Sequence, residues 1–181
     1  MDTIEALEQR LRVLEDDREA LQGRIRVLED ERALRDLIAR YSFNADLLDR
    51  EDKYVDMYTD DGAIDLAEMN KPRFEGKEGI KAFIEQPQAR DYCGRSMHHA
   101  APTVFYVDDD DATAEGYSVL YALHEDEAGR DNLASGVIDI PHANFSRWRF
   151  RRVNGEWKIV ERKVKLLGSP TAGELFTQTV R

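Results

Sequence analysis

Over the first thirty residues apolar side chains recur at Ile4, Leu7, Leu11, Leu14, Leu21, Ile25 and Leu28, and only Arg18 interrupts their alternating spacing of three and four. That is a heptad repeat, with Ile4, Leu11, Arg18 and Ile25 at a and Leu7, Leu14, Leu21 and Leu28 at d. So narrow a stripe on so polar a helix needs a partner to stay folded. Residues 1–32 are therefore expected to form a coiled-coil oligomerisation helix. In a parallel assembly Arg10 at g faces Glu15 at e of a neighbour, and Arg24 faces Glu29; both pairings are attractive. Ile at a with Leu at d favours two strands, a preference weakened by Arg18 in the seam.

From Ala33 the stripe moves to Leu34, Leu37, Ile38 and Tyr41, turned toward a different core. The pattern predicts a short second helix over 52–58 with Tyr54, Val55 and Tyr58 inward, ended by Asp60-Asp61-Gly62. A short strand over 63–66 follows, then a third helix over 76–84 with Ile80, Phe83 and Ile84 on one face, stopped by Pro87. Beyond it the character changes. The stretches 98–107, 112–124, 136–152 and 157–167 are β-branched and aromatic, with turn signals between them. Asp108–Asp111 reads as an acidic, solvated hairpin turn, and Asn154-Gly155 is the strongest hairpin signal in the chain. Trp148, Phe150 and Trp157 are expected in the core and pocket wall, with Arg147, Arg149, Arg151 and Arg152 on the solvated face. Helices first and a four-stranded antiparallel meander afterwards give an α+β domain over 33–181, with helices packed on one side of a bent sheet.

Composition narrows the partners. A net charge of −11 over 181 residues argues against nucleic acid and anionic membranes, which want a basic face. The single cysteine, Cys93, excludes an internal disulfide and fits a reducing compartment; a lone cysteine is more often a small hydrophobe than a nucleophile. The opening MDTIEALEQR lacks the apolar core of a secretory signal, and no apolar run approaches a membrane span. A cytoplasmic protein is expected. The four histidines show no HxH or HExxH spacing, so no metal is expected, and no cofactor.

The order of elements, with Arg40-Tyr41-Ser-Phe-Asn-Ala-Asp46, Tyr58-Thr-Asp-Asp-Gly62, Met97-His-His99 and Asn154-Gly-Glu-Trp157-Lys-Ile159, resembles the SnoaL-like branch of the nuclear transport factor 2-like superfamily. Within that branch the chain looks most like the scytalone dehydratase and bile acid 7α-dehydratase group. The resemblance covers roughly Ala33 to Leu167. It implies a cone-shaped α+β barrel in which the first long helix and a bent sheet enclose a deep, mostly apolar pocket. It also implies a trimer, where the heptad favours a dimer. Dehydratases of this group carry a Tyr and an Asp five residues apart on that helix, matched by Tyr41 and Asp46. They carry a His at the start of the first long strand, matched by His98, with His99 as the neighbouring register. The loop after Asp46 carries an extra residue, which makes Asp49 the alternative acid. Leu48 and Leu66 stand where scytalone dehydratase has further tyrosines, so its particular substrate is not implied.

The residues suit that chemistry. Asp46 lies between apolar stretches, where a carboxylate must find a partner. An imidazole supplies one: the Asp holds one ring nitrogen and leaves the other free as a base. Such a pair, walled by apolar groups, suits removal of a proton beside an activated carbon and protonation of a departing hydroxyl. Tyr41 is a candidate to steady a substrate oxygen. Asn144 and His142, two apart on one strand, share a face and are candidate substrate contacts. His124, at the end of its strand, is a candidate second acid. Lys163 and Lys165 share a face of the last strand, and Lys165 is a candidate for binding a phenolate or other anionic oxygen. The expectation is a cofactor-independent lyase for a hydroxylated aromatic, polyketide-like or steroid-like molecule, acting by dehydration or by retro-aldol loss of a small carbonyl such as formaldehyde. The alternatives are a non-catalytic binding or assembly module and an isomerase or cyclase, because a fold hosts many reactions.

Overall fold

The computed structural model describes residues 3–47, 51–124 and 137–176. Helix α1 spans Thr3–Leu47 without a break, so the heptad arm and the core-facing stripe belong to one rod. Leu34, Leu37, Ile38 and Tyr41 are its buried face. Asp30 is anchored beside them: Arg152 donates to its carboxylate at 2.6 Å and the Trp157 indole N–H at 3.1 Å. The expected boundary at residue 33 thus falls inside a helix that is already fastened three residues earlier.

Helix α2 covers Glu51–Asp56 and buries Tyr54. Strand β1 follows at Tyr58–Asp65, so Tyr58 opens a strand where a helix was expected to continue, and Asp60-Asp61-Gly62 lies inside that strand. The reason is a bulge between Tyr58 and Ala63 in the pairing with the last strand. Gly62 makes it feasible, because a Cβ there would sit 2.9 Å from the Tyr58 Cβ and 3.1 Å from the Ile159 carbonyl. A 3₁₀ turn at Ala67–Met69 leads to β2 (Arg73–Glu75) and α3 (Gly76–Ile84), which buries Ile80 and Ile84. Pro87 then opens a short α4, Pro87–Asp91.

Strands β3 (Ser96–Asp108), β4 (Asp111–His124), β5 (Val137–Val153) and β6 (Glu156–Leu166) form the antiparallel meander. The sheet order is β2-β1-β6-β5-β4-β3, six strands, open at β2 and β3. One pairing departs from the all-antiparallel expectation: β1 runs parallel to β6, reached by the long crossover through the rest of the sheet. Asp110 and Asp111 in the acidic turn face Arg152 and Arg151 at 3.0 and 3.5 Å. Arg149 and Arg151 are on the solvated face, whereas Arg152 turns the other way to hold Asp30 and cover the Trp157 ring. Tyr41, Tyr54, Tyr58, Trp148, Phe150, Trp157 and Ile159 form the centre of the core between α1, α3 and the sheet. Cys93 is exposed, with its thiol toward the Leu47 carbonyl at 2.5 Å. Among the described residues no helix is long and apolar enough to cross a membrane.

Candidate active site

Asp46 stands one residue from the described end of α1, and its backbone carbonyl accepts the Gly94 N–H at 2.7 Å. This ties the helix end to the entrance of β3. The carboxylate is buried and well supplied with donors. The His98 backbone N–H reaches its two oxygens at 3.0 and 2.9 Å, and the Ser96 hydroxyl donates at 3.1 Å. His98 Nδ1 lies 2.6 Å from Oδ1. A carboxylate in that position takes the Nδ1–H, which leaves the Nε2 lone pair for the cavity. Asp46 itself stays behind the imidazole, outside the pocket wall.

His98 opens on a cavity of about 120 Å³ between α1, the α3–α4 segment and the inner face of the sheet. Leu66, Phe83, Ile84 and Val164 supply apolar wall, and Tyr41, Ser118, His142, Asn144, Arg162 and Lys71 supply polar groups. Tyr41 accepts two hydrogen bonds on its oxygen, from Arg162 Nη1 at 2.5 Å and from the Tyr54 hydroxyl at 2.9 Å. With both acceptor sites taken, its own O–H is left to donate. Burial, followed by the proximity of Tyr41, pushes the Tyr54 and Tyr58 phenols well above their ordinary range, so both are neutral. Asn144 presents a buried Oδ1 with no hydrogen-bond partner among the described residues. Burial first, then Lys71 and His98, lowers His142, which is neutral at pH 7.

Arg162 is the residue the sequence reading did not place. Its guanidinium is buried, stacked at 4.9 Å from the Tyr41 and Trp148 ring centroids, and 3.4 Å from the Ser118 hydroxyl. Burial works against its charge, the surrounding tyrosine oxygens favour it, and the net direction is upward, so it is a cation throughout the working range. Lys165, the expected anion contact, is elsewhere: its ammonium binds the Thr171 carbonyl and Glu174, both at 3.0 Å, on the other side of the sheet. The cause is a bulge. Ile159 pairs with Phe150 and Glu161 with Arg149, so Val160 is the extra residue in β6. A one-residue slip exchanges the faces, turning Arg162 and Val164 inward and Lys163 and Lys165 outward. His99 is likewise corrected: next to His98 on β3 it points to the opposite face, exposed, near the Tyr121 ring. His142 and Asn144 both reach the cavity. Asp49, Leu48 and the side chain of His124 lie outside the described residues. Among the described residues no cluster of three His, Cys, Asp or Glu side chains could hold a metal ion.

A long helix laid across an open, bent sheet, with a mostly apolar cavity between them, defines the nuclear transport factor 2-like class of α+β cone domains. Residues 26–163 match the SnoaL-like domain model, and the chain belongs to that family. An NTF2-like protein with a cystatin-like fold from Novosphingobium aromaticivorans is 29% identical, with a TM-score of 0.74 over 86% of this chain and 94% of that one. Two further structures from that organism share the fold. One, named a candidate aromatic ring hydroxylase, is 19% identical with a TM-score of 0.61, over 77% of this chain and 90% of its own. The other, named a candidate scytalone dehydratase, is 17% identical with a TM-score of 0.56, over 77% and 85%. No curated protein matches the chain.

Proposed function

We propose that the chain is a cofactor-independent lyase acting on a hydroxylated aromatic, polyketide-like or steroid-like small molecule. The observation that carries this reading is the 2.6 Å contact between Asp46 and His98 Nδ1, which frees Nε2 toward a mostly apolar cavity. In the reaction, a substrate carbonyl oxygen accepts from the Tyr41 O–H beside the Arg162 cation. His98 Nε2 removes a proton from the adjacent carbon, and the C–H electrons form an enolate held by Tyr41 and Arg162. The enolate then reforms the carbonyl and expels the β-hydroxyl, which leaves as water with the proton from His98. Retro-aldol cleavage uses the same groups: His98 takes the proton of the β-hydroxyl, the C–C bond breaks to release a small carbonyl, the enolate again rests on Tyr41 and Arg162, and His98 returns its proton to the enolate carbon. Asn144 Oδ1, a buried acceptor in want of a donor, fits a hydroxylated ligand.

The test is a panel of β-hydroxy aromatic ketones followed by ultraviolet absorbance and product mass. Loss of water or of formaldehyde from a member of the panel is expected. Asp46→Asn should lower kcat by about 10²- to 10⁴-fold, the usual worth of a positioned acid–base group, while ligand affinity stays near wild type. Undiminished turnover in Asp46→Asn would remove Asp46 from the mechanism. A product of unchanged mass would assign the pair to isomerisation, and binding without turnover across the panel would favour a carrier role.

A further inference from the structure

We propose that the N-terminal arm of α1 pairs, parallel and in register, with the same arm of a second copy of this chain. The seam residues Ile4, Leu7, Leu11, Leu14, Leu21, Ile25 and Leu28 are each more than half exposed. Their own domain cannot cover them. Leu28, the last seam residue, and Leu37, in the core, are nine residues apart on one unbroken helix. Nine residues make about two and a half turns, so the two side chains point in opposite directions. Their exposures agree, at 65% and 2%. Asp30, fastened to Arg152 and Trp157, fixes the helix at the point where one face gives way to the other. N-terminal to it the arm extends about 40 Å, at about 1.5 Å per residue. The family match begins at residue 26, so most of the arm lies outside the family domain.

Charge selects both the partner and its direction. In a parallel pair the charged g-to-e contacts along the seam, Arg10 to Glu15 and Arg24 to Glu29 of the other copy, are both attractive; Asp17 meets the uncharged Gln22, and the one like-charge contact is Arg18 against Arg18 at a. An antiparallel pair would lay the e column of Glu8, Glu15 and Glu29 against itself. A foreign acidic or basic helix would satisfy only one of the two columns. The cone domains then sit on the outer flanks of the coil, each with its seam-facing side turned away from its own core.

The experiment uses the full chain with Leu7→Cys in a Cys93→Ser background. Position 7 meets its own copy only in a parallel, in-register coil, so mild oxidation should yield a covalent pair on a non-reducing gel. Light scattering should give a mass of two or more copies. Adding Leu14→Glu and Leu21→Glu should abolish the cross-link and lower the mass, while the near-ultraviolet dichroism of Trp148 and Trp157 stays unchanged. A monomeric wild type, absence of the cross-link, or a cross-link that survives the double Glu change would each overturn the proposal.

Discussion

Arg162 Nη1 donates to the Tyr41 hydroxyl oxygen at 2.5 Å, from the last strand of the sheet to the helix laid across it. The two residues are 121 apart in sequence, yet both line the same cavity. No carboxylate is hydrogen-bonded to this guanidinium among the described residues, so the charge is balanced only by hydroxyls and aromatic faces. While the Tyr54 and Tyr58 phenols stay neutral, burial is the largest effect on this charge, so the cation is a cost to the fold and an offer to a ligand.

Arg162→Met should therefore separate the two effects. Removing a buried, uncompensated charge is often neutral or stabilising. The thermal midpoint should equal or exceed that of wild type, and kcat/KM on any substrate found should fall about 10- to 100-fold, the equivalent of one charged hydrogen bond of about 1.5–3 kcal/mol. Arg162→Lys keeps the charge but loses the planar stack on Trp148, so it should rescue only part of the loss. A large drop in melting temperature for the Met variant would show that the cation belongs to the core and has no ligand to await.

His142 gives the cavity a pH dependence with a definite sign. Its native titration is lowered from the ordinary 6.5, chiefly by burial and then by Lys71 and His98. Above pH 6.5 it is neutral folded or unfolded and contributes nothing to the slope. As pH falls below that value the unfolded chain takes up a proton that the native state resists, so stability is lost until the native value is passed. Urea unfolding at pH 7.5 and 5.5 should show a larger acid loss for wild type than for His142→Gln. Equal losses would mean that His142 meets water freely in the folded protein.

Most of the architecture could be read from periodicity, because amphipathic helices and alternating strands state which side they bury. The stripe Leu34, Leu37, Ile38 and Tyr41 and the helix Gly76–Ile84 lie where the pattern places them. Asp46 and His98 could be paired only through the resemblance, since 52 residues separate them and neither carries a local signal of the other. Bulges hid the rest. Reading β6 outward from Trp157 and Ile159 in strict alternation turns Glu161, Lys163 and Lys165 inward, and Val160 reverses that phase. The adjacent apolar pair Ile159-Val160, in a strand that otherwise alternates, was the one trace of it in the sequence. Tyr58 escaped for a similar reason, its strand starting with a bulge that no helix or strand period describes.

The clasp at Asp30 should be measurable apart from any activity. Asp30→Ala leaves the Trp157 indole N–H and one arm of Arg152 without their acceptor in a mostly buried place. A group stranded in this way costs about 1–3 kcal/mol. In a chain of this size each kcal/mol moves the midpoint by about 2–4 °C, so a fall of about 2–12 °C is expected. Asp30→Asn keeps an acceptor for the indole and should recover part of it. A midpoint unchanged in Asp30→Ala would mean that α1 is held by its apolar stripe alone.

Gly116 tests the bend of the sheet that shapes the cavity. It lies on β4 opposite the irregular pairing between Ala100 and Thr103, where β3 leaves regular register. A Cβ at this position would meet Thr103 Oγ1 at 2.6 Å, the Pro102 carbonyl at 2.7 Å and the Thr103 Cα at 3.0 Å. Two of those three atoms are backbone and cannot swing aside as a side chain does. Gly116→Ala must then push β3 away from β4, at a cost of about 1–3 kcal/mol typical of overpacking. Because β3 also carries His98, the displacement should reach the pocket, and ligand affinity should fall with stability. Gly23→Ala, on the outer face of the arm with nothing within 4 Å, is the matched control and should gain helix stability of about 1 kcal/mol or less. If Gly116→Ala melts like wild type, the two strands are free to part there, and the curvature of the sheet has some other origin.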